Sequence, residues 1–75
     1  YKNGQGVEKD EAEAVRWYRK AAELGDAAAQ NNLGTCYAMG EGVEKDEAEA
    51  VRWYREAAAN GNTDAVSRLR SLDSR

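Results

Sequence analysis

Four groups of residues have types and spacings that could carry chemistry. Trp17-Tyr18 and Trp53-Tyr54 could stack a ligand. Gly4-x-Gly6 and Gly40-x-Gly42 could cradle a phosphate. Cys36 could be a nucleophile, and the run Glu8-Lys9-Asp10-Glu11 could hold a cation. Each has a competing structural reading that its context favours. The aromatic pairs fall on the apolar side of a helix, where they pack a core. The glycines lack a preceding strand and the rest of a nucleotide fingerprint, so they make turns. Cys36 has no base nearby in sequence and sits on an apolar helix side, as a small buried hydrophobe does. The acidic run stands at a helix start, where it caps and is solvated.

Composition narrows the chemistry further. The chain has 75 residues, 11 Lys plus Arg against 14 Asp plus Glu, and a net charge of −3. This disfavours nucleic acid, whose binders need a concentrated basic surface. With no histidine and one cysteine, there is no Ser-His or Cys-His nucleophile pair, no His-containing zinc site and no intrachain disulfide. The expectation is therefore no catalytic site, no metal and no cofactor. No run reaches the length of a membrane span, and no secretory signal stands at Tyr1. A chain this short buries a marginal core, so it needs very regular packing or a neighbour.

The elements that must position these residues come from an internal repeat. At an offset of 36, residues 4–22 fall on 40–58 with only Gln5/Glu41 and Lys20/Glu56 different. Gly25, Ala29 and Leu33 then meet Gly61, Ala65 and Leu69. A period of this size marks a stacked array, in which each unit buries its apolar face on the next. Asp10 with Glu13, and Asp46 with Glu49, are capping-box patterns that predict helices over about 11–24 and 47–60. Gly25 supplies a left-handed stop, and Asp26 caps a helix running to about Met39. Asn62 caps a last one over about 63–72. The domain reading is one array: 1–6 as the tail of a truncated repeat, 7–42 as one period, 43–61 as a second outer helix and 62–75 as a capping helix.

The helix faces differ in kind. On the first helix Ala14, Val15, Trp17, Tyr18, Ala21, Ala22 and Leu24 cover about half the circumference, wider than an ordinary surface stripe. That width fits a helix touching both its own partner and the next repeat. Residues 27–40 carry no charge, which places this helix in an inner layer beneath charged outer helices. Gly34 and Ala38 are small enough to let another helix approach. Arg70 takes the place of Gly34 one period later and blocks such an approach, so the array is expected to stop here and any parent protein to extend N-terminally.

These residues resemble the Sel1-like repeat, a relative of the tetratricopeptide repeat. The pattern is carried by Ala29, Leu33, Gly34, Tyr37, Gly40, Gly42, Val43 and Asp46, then Ala50, Trp53, Tyr54, Ala57, Ala58 and Gly61. The earlier copy carries Gly4, Gly6, Val7, Asp10, Ala14, Trp17, Tyr18, Ala21, Ala22 and Gly25. The resemblance implies an all-α fold, a right-handed superhelix of antiparallel helix pairs with a concave groove. It also implies an adaptor or scaffold role in protein complexes, and a bacterial origin, cytoplasmic or periplasmic, for a natural chain. Where a secreted branch has a cysteine pair in each hairpin, this chain has Ala22 and Gln30. Groove positions carried over from the related tetratricopeptide pattern are Asn31, Thr35, Ala38, Ser67 and Ser71.

Asn31, Asn32 and Thr35 also stand out on their own, because asparagine offers a donor and an acceptor to an extended peptide backbone. Solvation of an inner helix is the equal alternative. Arg68, Arg70 and Arg75 make the last segment locally basic, which solubilises a cap or attracts an acidic partner. The functional expectation is a non-catalytic interaction module that binds a protein or peptide on its inner face, without nucleic acid or membrane insertion. The alternative is a scaffold with no natural ligand, designed or truncated, consistent with copies so nearly identical. Self-association through the N-terminal face is expected as well.

Overall fold

The structure is a computed structural model that describes the backbone of residues 5–73 and the side chains of residues 11–72. The expectations placed on Tyr1, Gly4, Arg75 and the Asp10 side chain lie outside those residues. Four helices follow one another, α1 (Gln5–Glu23), α2 (Ala27–Met39), α3 (Glu47–Ala59) and α4 (Thr63–Asp73), with no strand among the described residues. Each packs on its neighbours in sequence: α2 lies against both α1 and α3, and α4 lies against α3. The result is a slab of 37 × 29 × 17 Å, one short stretch of helical solenoid.

The helix ends follow the local chemistry. The Asp26 carboxylate accepts from the N–H groups of Ala28 and Ala29 at 3.0 and 3.2 Å. Asp46 accepts from Glu49 N–H at 3.2 Å, and Asn62 Oδ1 from Ala65 N–H at 2.9 Å. These side chains satisfy N–H groups that have no partner inside the helix. Gly25 and Gly61 both take φ +96°. The N–H groups that follow the helix, Asp26 to Ala21 O and Asn62 to Ala57 O, close the same reverse turn in both copies.

The first helix starts earlier than its sequence predicts, at Gln5 rather than near Glu11. The physical reason is visible in the second copy. There the glycine turn is held by the α2 cap, where Gly40 N–H bonds Cys36 O, and by Asp46 N–H bonding back to Tyr37 O. Gly42, at φ +75°, sits so close to α1 that a Cβ would stand 2.6 Å from Glu11 O. Those partners lie in α1 and α2, and the described backbone of 5–10 instead bonds within the helix.

Two clusters make the core. Val15 and Ala22 of α1, Ala29, Leu33 and Cys36 of α2, and Trp53 of α3 form the first. Ala50, Tyr54 and Ala57 of α3 with Ala65 of α4 form the second, with Tyr37, Ala38, Leu69 and Leu72 packed against it. Gly34 allows the close approach of α2 and α3, since a Cβ there would meet the Tyr54 ring at 2.8 Å and Ala50 O at 3.2 Å. Two residues of the expected apolar arc are not core. Leu24 is 88% exposed because it falls in the turn after α1. Trp17 is 62% exposed while its copy Trp53 is 8% exposed, because Trp53 packs into the cluster built with α1 and α2, whereas no described helix covers Trp17.

Candidate interaction groove

A groove of about 450 Å³ runs between α2 and α4 over α3. Ala38 lines one side, Asp64, Ser67, Arg68, Ser71 and Leu72 line the other, and Tyr54 closes the base. The spacing of Asp64, Ser67, Arg68 and Ser71 sets them on one face of α4. Small side chains keep the groove open: alanine on α2 and two serines on α4. Their hydroxyls are both donors and acceptors, and Arg68 and Asp64 put one charge of each sign beside them.

The groove base is polar as well as aromatic. Tyr54 is only 2% exposed, yet its hydroxyl lies 2.9 Å from Thr35 Oγ1. Thr35 Oγ1 in turn donates to Asn31 O at 3.1 Å. This chain ties the base of the groove to the α2 backbone and orients the Tyr54 ring, whose Cδ1 and Cε1 lie against Gly34.

The residues singled out in the sequence separate into three groups. Ala38, Ser67 and Ser71 line the groove. Thr35 is half-buried and reaches it through the Tyr54 hydroxyl. Asn31 is 8% exposed, with Oδ1 meeting no donor among the described residues. Asn32 is exposed on α2 and is not among the groove's lining residues.

Other polar residues took roles the sequence reading did not assign. Gln30 is buried, donating from Nε2 to Ala22 O at 3.0 Å and accepting from Asn60 Nδ2 at 3.0 Å. It thus clamps the C-terminal ends of α1 and α3 together across α2. Its position one period later is Val66 and that of Asn60 one period earlier is Leu24, so the repeat itself carried no hint of the clamp. Arg19, which lies outside the apolar arc of α1, is half-buried: it donates to the Tyr37 hydroxyl and stacks 5.9 Å from that ring's centroid.

The other chemistry-bearing groups have structural surroundings. Cys36 is buried in the first cluster. Burial, and then the nearby carboxylates of Glu41 and Glu11, push its thiol above the ordinary value of 9.0, the reverse of what a nucleophile needs. Gly40 and Gly42 form a turn, as their spacing predicts. Among the described residues no group of three or more Cys, Asp and Glu side chains could hold a metal ion, and no helix is long and apolar enough to cross a membrane.

Comparison with known protein families matches the Sel1 repeat to residues 1–26 and 27–62, most of the chain. Searches of curated proteins and of solved structures return no match. Sel1 repeats form helical solenoids and are generally protein–protein interaction modules, typically non-catalytic.

Proposed function

We propose that this chain, which belongs to the Sel1 repeat family, binds a peptide or a surface segment of a protein partner in the groove between α2 and α4. The supporting observation is the groove itself. Ala38, Ser67 and Ser71 leave room for a partner's main chain over the Tyr54 base. The mixed lining suits an extended segment: hydroxyls for backbone groups, Leu72 for an apolar side chain, and Arg68 and Asp64 for one charge each. Thr35 acts through its bond to Tyr54 by fixing the ring, while the Asn31 side chain is buried and does not line the groove. Asn32 is solvated and lies outside the contact. No step of bond making or breaking is involved, and no cofactor is required.

The test is selection of a random peptide library on the immobilised chain, followed by calorimetric titration of the selected peptides. Ser67→Trp and Ser71→Trp fill the groove from exposed positions and leave the helical circular dichroism unchanged. The expected result is selected peptides whose affinity falls about tenfold or more with either substitution, the scale of losing a central contact. Binding that both variants leave unchanged overturns the groove assignment. A library that returns no reproducible peptide supports the second reading, a scaffold without a ligand, which the near-identity of the two copies favours.

A further inference from the structure

We propose that the cavity between the C-terminal ends of α1 and α3 receives one basic side chain of a protein partner, a lysine or an arginine, between the carboxylates of Glu23 and Glu56. The cavity measures about 260 Å³ and shares no lining residue with the α2–α4 groove. Its walls come from the ends of α1 and α3, with Gln30 of α2 between them. It is smaller than the roughly 300–1,000 Å³ of pockets for drug-sized ligands, and suits a single long side chain. Two hydrogen bonds of Gln30 brace it. Nε2 donates to Ala22 O and Oε1 accepts from Asn60 Nδ2, both at 3.0 Å, so the two walls are held at a fixed separation before any ligand arrives. One period away, Glu23, Gln30, Glu56 and Asn60 meet Ala59, Val66, Lys20 and Leu24. The polar cavity is therefore not a property of the repeat unit.

Charge selects the occupant. Three charged residues line the cavity, Glu23, Arg52 and Glu56. Arg52 is already engaged: its Nη1 lies 3.5 Å from Glu49 Oε1, and its guanidinium stacks 5.1 Å from the Trp53 ring centroid. Glu23 and Glu56 have no ion-pair partner among the described residues. Glu23 is the last residue of α1 and Glu56 lies in the last turn of α3. A helix C-terminus carries about half a negative charge, so both carboxylates stand where the helix dipole disfavours them. No base stands in the last turn of α3. Lys20 of α1 lies 5.4 Å from the Trp17 ring centroid and does not line the cavity. The α2 N-terminus, of opposite polarity, is capped by the Asp26 carboxylate. The local balance is negative, and a bound cation offsets it. Trp53 adds an independent unmet group. It lines the cavity and is 8% exposed, and its Nε1–H finds no acceptor among the described residues. A basic residue of a protein supplies both needs, a cationic head for the carboxylates and a main-chain carbonyl as an acceptor.

Titration of the 75-residue chain with N-acetyl-arginine methylamide, and separately with its lysine counterpart, tests this. Binding is followed by NMR at the Trp53 indole N–H in a Trp17→Phe background. The expected result is a saturable downfield shift with a dissociation constant of about 1–10 mM, the scale of one small contact, which weakens as salt rises. Saturable binding of either compound supports the proposal, and the tighter one identifies the partner's residue. The uncharged glutamine counterpart is expected to give no saturable shift. Glu23→Gln combined with Glu56→Gln is expected to weaken binding by about fivefold or more, as for two exposed ion pairs. Without ligand the same double variant should raise Tm, because it removes two charges that the helix ends disfavour. Ser67→Trp, which fills the α2–α4 groove, should leave this binding unchanged. No saturable shift with either basic compound overturns the proposal. So does an equal response to the glutamine compound, or binding that survives the double substitution. A lowered Tm of the double variant overturns it as well, since the carboxylates would then serve the fold.

Discussion

At the residue scale, two side chains of the same type in identical local sequence have opposite environments. Trp17 is on the surface and Trp53 is in the core. Acrylamide quenching of the two single-tryptophan variants, taken at concentrations where the chain is monomeric, is expected to be strong for Trp17 and weak for Trp53; equal quenching would contradict the burial difference. Cys36 offers a second residue-scale test. Burial and the flanking carboxylates of Glu41 and Glu11 raise its thiol above 9.0, so the fold favours the protonated form. The stability this contributes is complete below about pH 9 and is lost as pH climbs past the unfolded value toward the folded one. The urea midpoint of the wild type should therefore fall more steeply above about pH 9 than that of Cys36→Ala. Thiol reagents should label Cys36 slowly until denaturant is added. Gln30 carries two hydrogen bonds from within the core. Gln30→Ala is expected to cost about 2–3 kcal/mol by denaturant titration, since it strips a donor from Ala22 O and an acceptor from Asn60.

At the element scale, the contact of α2 with α3 depends on the absence of a single side chain. A Cβ at Gly34 would come within 2.8 Å of the Tyr54 ring and 3.2 Å of Ala50 O, and neither a buried ring nor a helix carbonyl can yield easily. Gly34→Ala gains helix propensity of about 1 kcal/mol but overpacks the contact at a cost of about 1–3 kcal/mol. Net destabilisation is expected in thermal unfolding, and a rise in Tm would show that α2 and α3 lie farther apart. The same substitution displaces Tyr54 from the base of the groove, so peptide binding should weaken along with stability. The helix caps act at this scale too. Asp46→Ala should cost about 1 kcal/mol, the typical loss of a carboxylate cap.

At the scale of the whole molecule, stability is shared between neighbours rather than held in one core. The second cluster is built from α3 and α4 together, through Ala50, Tyr54, Ala57 and Ala65. Ending the chain after Gly61 removes α4 and with it one side of both the cluster and the groove. Loss of cooperative unfolding and of peptide binding is expected on calorimetry, while a shortened chain that still unfolds in one sharp transition would show that α1 to α3 suffice. This is the behaviour of a linear array, in which each interface contributes separately.

The sequence by itself determined the four helices, their caps at Asp26, Asp46 and Asn62, and the all-α solenoid. Those follow from short-range chemistry: side chains reaching N–H groups two or three residues away, glycines at left-handed positions, and a 36-residue self-match. Ala38, Ser67 and Ser71, which line the α2–α4 groove, come from the resemblance to the tetratricopeptide pattern. Only the tertiary structure decided the start of α1, the burial of Asn31, the Gln30 clamp and the separate fates of Trp17 and Trp53. Each depends on what packs against the residue from elsewhere in the chain. Periodicity states which face of a helix is apolar, but a face becomes core only when another helix covers it. Within the identical segments 11–19 and 47–55, Trp17 is therefore surface and Trp53 interior, while Val15 is buried and Val51 only half-buried.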